Sequence, residues 1–209
     1  MPLLKLMQLA DSALPIGSAA HSFGLESLVA EELLTVDVLA GFLHDFLQES
    51  GVLEGAFCRA AHQTGSARWT ELNELLSARK PARESRLASL ALGRRFIQLF
   101  LAMEGGYDPG GEPHYCTAFG YAGRALGIEE AVTVSVYLHQ SMSALISTCQ
   151  RLMPLGQQRA ARLLWDLKPA IVDAARASDV EPHAAGSFTQ LVEMASMRHV
   201  ALATRLFIS

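Results

Sequence analysis

Two stretches gather more polar chemistry than an apolar setting needs. The first runs from Gln8-Leu9-Ala10-Asp11 through Leu14-Pro15-Ile16-Gly17 to His21-Ser22-Phe23-Gly24-Leu25-Glu26. A helix start would use two of these residues: Ser22 as the cap whose hydroxyl accepts a backbone N–H, and Glu26 in the first turn, where its charge suits the dipole. Gly24 has no part in such a start. The second stretch is Glu193-Met194-Ala195-Ser196-Met197-Arg198-His199, followed by Thr204-Arg205-Leu206-Phe207-Ile208-Ser209. Phe207 and Ile208 are apolar at a terminus, where fraying is the rule. Beside Arg198, His199 and Arg205 they point to docking, either onto the chain's own helices or onto a partner. A third candidate is Arg151, three positions before Pro154. Either it complements the negative end of a helix, or its guanidinium faces a partner in a direction fixed by the Pro154-Leu155-Gly156-Gln157 turn.

Catalytic chemistry finds no frame. The sequence has neither a Gly-x4-Gly-Lys-Ser/Thr loop nor a Gly-x-Gly-x-x-Gly after a strand, and no Gly-x-Ser-x-Gly elbow. The loop Gly105-Gly106-Tyr107-Asp108-Pro109-Gly110-Gly111 is glycine-rich, but it is flanked by acids and reads as a connector. His-Glu-x-x-His, Cys-x-x-Cys and His-x-His are all absent; His114-Tyr115-Cys116 is the nearest approach to a ligand pair. Two ligands alone make a weak site, so His114 is read as opening a helix and Cys116 as a small core residue. No metal or cofactor is expected.

The elements that hold these candidates are helical. Apolar residues fall on one stripe at Val36, Leu39, Leu43, Phe46 and Leu47, again at Leu92, Phe96, Leu99, Phe100 and Met103, and again at Leu138, Met142, Leu145, Cys149 and Leu152. Val132 to Val136 alternates like a strand, but it runs unbroken into the last of these stripes and is read as helix. Pro81 ends one helix before the next, Pro154 is expected at a helix's first turn, and Pro169 should split the run from Leu163 to Ala175. Residues 178–187 read as a polar link. Half of the 209 residues are apolar and 18% are charged, which supports a large core. The net charge of −4 and the 7% aromatic content disfavour a nucleic-acid partner. No apolar run is long enough to cross a membrane. Three scattered cysteines suit a reduced, cytoplasmic setting. The expected fold is all-α: a single compact, bundle-like domain of about nine or ten helices over residues 1–209.

In their order along the chain, these blocks resemble the urease accessory protein UreF family. Met7-Gln8-Leu9-Ala10, Leu14-Pro15-Ile16-Gly17 and His21-Ser22-Phe23-Gly24-Leu25-Glu26 are similar to its opening. Asn73 to Arg79, Arg83-Glu84-Ser85-Arg86 and Ser89 to Gly93 resemble its middle helices, and His114 to Gly120 its His-x-Pro-x-Ala-Phe-Gly block. Arg151 to Gln157 is similar to its basic-x-x-Pro-Leu/Phe-Gly-Gln, and Ala195-Ser196-Met197-Arg198-His199 with Arg205-Leu206-Phe207 to its C-terminal motifs. The chain departs from the pattern at Ala19, where an aromatic is usual, at Cys116 in place of Pro, and at Val200 and Ala203.

The resemblance implies a non-enzymatic protein. It would pair as a dimer, bind UreD (also called UreH), recruit the GTPase UreG and engage apo-urease so that nickel reaches the active site. With UreD as the implied partner, the N-terminal block Leu14 to Glu26 and the C-terminal block Arg198 to Ser209, each over-furnished for a chain end, are expected to form its surface through His21, Ser22, Gly24, Glu26, Arg198, His199, Arg205 and Phe207. Arg151 is the candidate for action on UreG. Two other readings stay open on residues alone: a helical ligand-binding or metal-dependent enzyme using His114, Cys116 and His139, and a ligand-sensing regulatory domain.

Overall fold

Apolar stripes of helical period become helices wherever glycine and proline permit. A computed structural model describes residues 1–208, and its regular elements are all helical. They are α1 (Pro2–Leu9), α2 (Leu25–Ala30), α3 (Leu39–Phe46), α4 (Val52–Thr64), α5 (Trp69–Arg79), α6 (Arg83–Glu104), α7 (Tyr115–Ala125), α8 (Glu130–Leu152), α9 (Gln157–Asp166), α10 (Lys168–Ala177) and α11 (Gln190–Arg198). A π turn, Leu47–Gly51, joins α3 to α4 without a break in direction. Val132 to Val136 is helical inside α8, as its continuity with the following stripe requires.

The centre of the bundle is α7, packed between α4 and α6 with α8 lying across it. Its glycine sets the approach: a Cβ on Gly120 would stand 2.0 Å from the Cys58 carbonyl oxygen of α4. Around this crossing Phe96, Tyr115, Phe119 and Tyr137 form an aromatic cluster with ring centroids 5.4–6.2 Å apart. Buried apolar residues from Leu6 to Ala195 make one contiguous core. The glycine-rich connector between α6 and α7 is pinned to the bundle: the Trp69 indole N–H donates to the Gly110 carbonyl at 2.8 Å, and the Tyr121 hydroxyl to that of Tyr107 at 2.6 Å.

Pro169 divides α9 from α10 at Leu167 and occupies the first turn of α10. Pro154 behaves differently from the expectation. It does not open α9, which begins three residues later with Gly156 as its cap. Instead Leu155 N–H bonds the Met153 carbonyl at 2.7 Å, closing a three-residue turn on the proline. Pro15 does the same, with Ile16 N–H on the Leu14 carbonyl at 2.7 Å. The fixed φ of proline suits the centre of such an inverse γ-turn.

Candidate functional site

The two polar-rich stretches meet. Phe23 and Gly24 both have positive φ, +51° and +86°, and turn the chain sharply into α2. Only glycine fits at the second: a Cβ there would lie 2.8 Å from the Val192 carbonyl and 2.9 Å from Ser196 Oγ of α11. Gly24 thus lets α11 seat directly on the start of α2. Ser22 is not the cap. Its hydroxyl is buried without a hydrogen-bond partner among the described residues, and the cap position belongs to Gly24. The left-handed turn removes the serine from the geometry that an N-cap side chain needs.

Glu26 does sit in the first turn of α2, but the dipole is not its main partner. Its carboxylate is buried and accepts three hydrogen bonds from the C-terminal stretch: His199 Nε2–H at 2.7 Å, Leu206 N–H at 2.6 Å and Phe207 N–H at 3.3 Å. Ile208 N–H then bonds the Ala20 carbonyl at 2.8 Å. Neighbouring ties hold α11 itself. Arg198 pairs with Glu31 at 2.7 Å, Ser85 Oγ meets Ser196 Oγ at 2.8 Å, and the Glu193 carboxylate accepts the Ala82 N–H at 2.7 Å near the start of α6. The C-terminal stretch is therefore docked onto the chain's own helices; its last residue, Ser209, lies outside the described residues.

Arg151 lies at the rim of this junction. Its guanidinium donates to the Ala19 carbonyl at 2.5 Å and stands over the Phe207 ring, 4.2 Å from the centroid. Its guanidinium hydrogen bond thus goes to the N-terminal stretch rather than to the last carbonyls of α8. His21 is buried near Phe23, and burial, with Arg95 nearby, holds its pKa below the ordinary histidine value. Of the nine residues singled out, the structure brings His21, Ser22, Gly24, Glu26, His199 and Phe207 together as buried parts of one interlock. Arg151, Arg198 and Arg205 stay exposed around it.

The possible ligand trio behaves otherwise. The His114 ring is enclosed, with Ser77 Oγ 2.9 Å from Nε2 and Ser89 Oγ 3.0 Å from Nδ1. Burial first, then Lys80 and Arg86, push its pKa down to about 3. The Cys116 thiol is pushed up by burial. His139 lines a separate open groove between α8 and α10, beside Lys168. Among the described residues no three His, Cys, Asp or Glu side chains gather as a metal would need.

One feature of this region was hidden in the sequence. Phe188, Leu191, Met194, Met197 and Val200 recur every third residue along α11 and its flanks, and all are 44–72% exposed. Leu206 and Ile208 add to the bare apolar surface. The spacing was visible, but a stripe bound for the core has the same spacing as one left for a partner.

Known families and proteins decide the kinship. The UreF family model matches residues 34–168, well over half of the chain. This chain belongs to the UreF family. A urease accessory protein UreF of Bradyrhizobium sp. (strain BTAi1) is 34% identical over 98% of this chain and 91% of its own length. The UreF of Haemophilus influenzae (strain PittGG) is 28% identical over 98% and 94%, and that of Bacillus sp. (strain TB-90) 27% over 99% of each. In this UreF-family chain the interlock joins residues from both sides of the matched span: Gly24 and Glu26 precede it, while Ser196, His199 and Phe207 follow it. Among the described residues no helix is long and apolar enough to cross a membrane.

Proposed function

We propose that this UreF-family chain is a non-enzymatic scaffold of urease maturation. It acts as a single domain and as a homodimer in the cytoplasm. It holds UreD and the GTPase UreG in the complex that delivers nickel to apo-urease, and it modulates UreG. One observation carries the reading: the N- and C-terminal stretches are locked into a composite surface whose buried half is polar and whose outer half is bare and apolar. Exposed apolar patches rimmed by charge are the ordinary mark of a protein-binding face. Arg198, Arg205 and Arg151 supply that rim.

The test is reconstitution with UreD, UreG and apo-urease. Deleting residues 200–209 removes Phe207 and the backbone donors to Glu26, while α11, which ends at Arg198, keeps its helical length. The truncated chain should retain its circular dichroism, lose UreD in a pull-down and fail to support urease activation. Capture of UreD at wild-type affinity by that chain would refute the placement of the UreD surface. Light scattering should give the mass of two chains at micromolar concentration; one chain's mass throughout would refute the dimer.

A further inference from the structure

We propose that Met194 and Met197 are oxidation sites that switch off the UreD face: a peroxide converts their thioethers to sulfoxides, and the stripe they centre no longer accepts an apolar partner. This rests on the assignment of that face to UreD and adds its regulation. Of the seven methionines, Met142 is buried in the core and Met153 is half-buried, whereas Met1, Met7, Met103, Met194 and Met197 are exposed. Within the exposed five, Met194 and Met197 are the pair on α11. They are the third and fourth of its five bare apolar residues, with Phe188 and Leu191 before them and Val200 after. Both turn away from the bundle, because the residues that α11 buries are Val192, Ala195 and Ser196.

Thioether oxidation needs a sulfur that the oxidant can reach, and about half of each of these two residues is open to solvent. The sulfur lone pair attacks one oxygen of hydrogen peroxide. An S–O bond forms, the O–O bond breaks, and the displaced hydroxide takes the proton from the new S–OH and leaves as water. The sulfur gives up two electrons and the peroxide accepts them. A flexible apolar side chain thereby gains a polar, hydrogen-bond-accepting oxygen. In the free chain that oxygen stays in water, so the fold is indifferent to it. In a complex it is carried to the middle of the apolar contact, where interface energy concentrates, and a polar group buried there without a partner opposes association. Reduced methionine serves the same place well, since its unbranched thioether adapts to the surface it meets.

The experiment treats the full chain with hydrogen peroxide, quenches it with catalase, and then measures the affinity for untreated UreD. Mass spectrometry assigns each added oxygen. Met194 and Met197 should each gain one oxygen and the buried Met142 none, the circular dichroism should be unchanged, and the UreD Kd should rise about ten- to a hundredfold. Methionine sulfoxide reductases should restore the affinity. Each variant is compared with its own untreated sample. In Met194→Leu/Met197→Leu the treated and untreated Kd values should agree, whereas Met7→Leu/Met103→Leu should respond to peroxide as the wild type does. A treated wild-type chain that holds UreD as before, or a response that persists in Met194→Leu/Met197→Leu, would overturn the switch. Met194→Asp separates that failure from failure of the face itself. If it abolishes UreD capture while peroxide does not weaken it, the switch alone is wrong; if it captures UreD normally, the face is misassigned and the switch falls with it.

Discussion

Glu26→Gln is the sharpest probe of the terminal interlock, because it keeps the side chain's shape and removes only its capacity to accept everywhere. The carboxylate takes two backbone N–H groups and one imidazole N–H, with no donor of its own. An amide must turn its NH2 toward one of them. Facing Leu206 N–H, 2.6 Å away, it sets donor against donor. Facing His199, it sets donor against donor with Phe207 N–H, which shares that oxygen, and needs the imidazole proton moved to Nδ1, which is buried with no partner among the described residues. Either choice forfeits one hydrogen bond to a charged group, about 1.5–3 kcal/mol, and weakens the rest. The loss has a ceiling, since the tail can let go. Releasing it exposes Phe207, worth about 1.5–3 kcal/mol of burial, and frees its backbone donors. The tail's opening free energy should therefore drop by about 2–3 kcal/mol, while the global melting temperature falls by less than about 10 °C. Amide hydrogen exchange reads the opening directly: Leu206, Phe207 and Ile208 should exchange about 30- to 150-fold faster in the variant. Glu31→Gln is the control. It removes only the half-exposed pair with Arg198, worth about 0–1 kcal/mol, and should change these rates by less than about fivefold. Unchanged protection of the three amides in Glu26→Gln would refute the carboxylate's role as the tail's anchor.

Arg151→Ala should weaken UreG recruitment or urease activation more than Phe207→Leu does, although both remove the ring contact; equal defects in the two variants would assign Arg151 to tail packing alone. Gly120→Ala should destabilise by about 1–3 kcal/mol or more in urea unfolding, since the new Cβ meets backbone rather than a movable side chain, and a cost under about 0.5 kcal/mol would mean that α4 and α7 can separate freely. Stability should fall on acidification through His114: the unfolded chain takes up its proton near pH 6.5 and the folded chain only near 3, so stability is full above 6.5 and is lost as pH falls between the two. The slope is about 1.4 kcal/mol per pH unit per group, or about 2 kcal/mol between pH 7.5 and 5. This part of the pH dependence should vanish in His114→Asn, as measured by urea unfolding at both pH values; an unchanged slope would count against the buried neutral imidazole.

Helix positions were readable from the sequence because one stripe per helix had to reach the core, and Pro81 and Pro169 mark real ends for the reason that proline lacks an N–H. Pro154 misled because the same missing N–H serves a γ-turn as well as a first helical turn, and nothing local separates the two. Ser22 misled similarly: cap chemistry was present, but the backbone entering α2 is left-handed at Phe23 and Gly24, and of the two only the glycine hints at it in sequence. At Glu26 the local signal was correct and incomplete. Its place in the first turn follows from neighbouring residues, whereas its three donors come from residues more than 170 positions away. The α11 stripe shows the limit of periodicity, which reports that a helix has an apolar face and not what covers it.

The geometry at Arg151 joins what the sequence left as separate alternatives. A guanidinium serving only the α8 dipole would bond that helix's own last carbonyls; this one reaches across to Ala19 and covers Phe207. Both contacts are partly solvated, so turning the side chain outward costs little: roughly one hydrogen bond and a cation–π contact of about 0.5–1 kcal/mol. A partner that engaged Arg151 would take it from Phe207, and one that gripped the tail would change what holds Arg151. Linkage makes that influence equal in both directions. Were partners to engage both, the tail surface and the arginine would be two handles on one small equilibrium, placed where residues 19–26 meet residues 199–208.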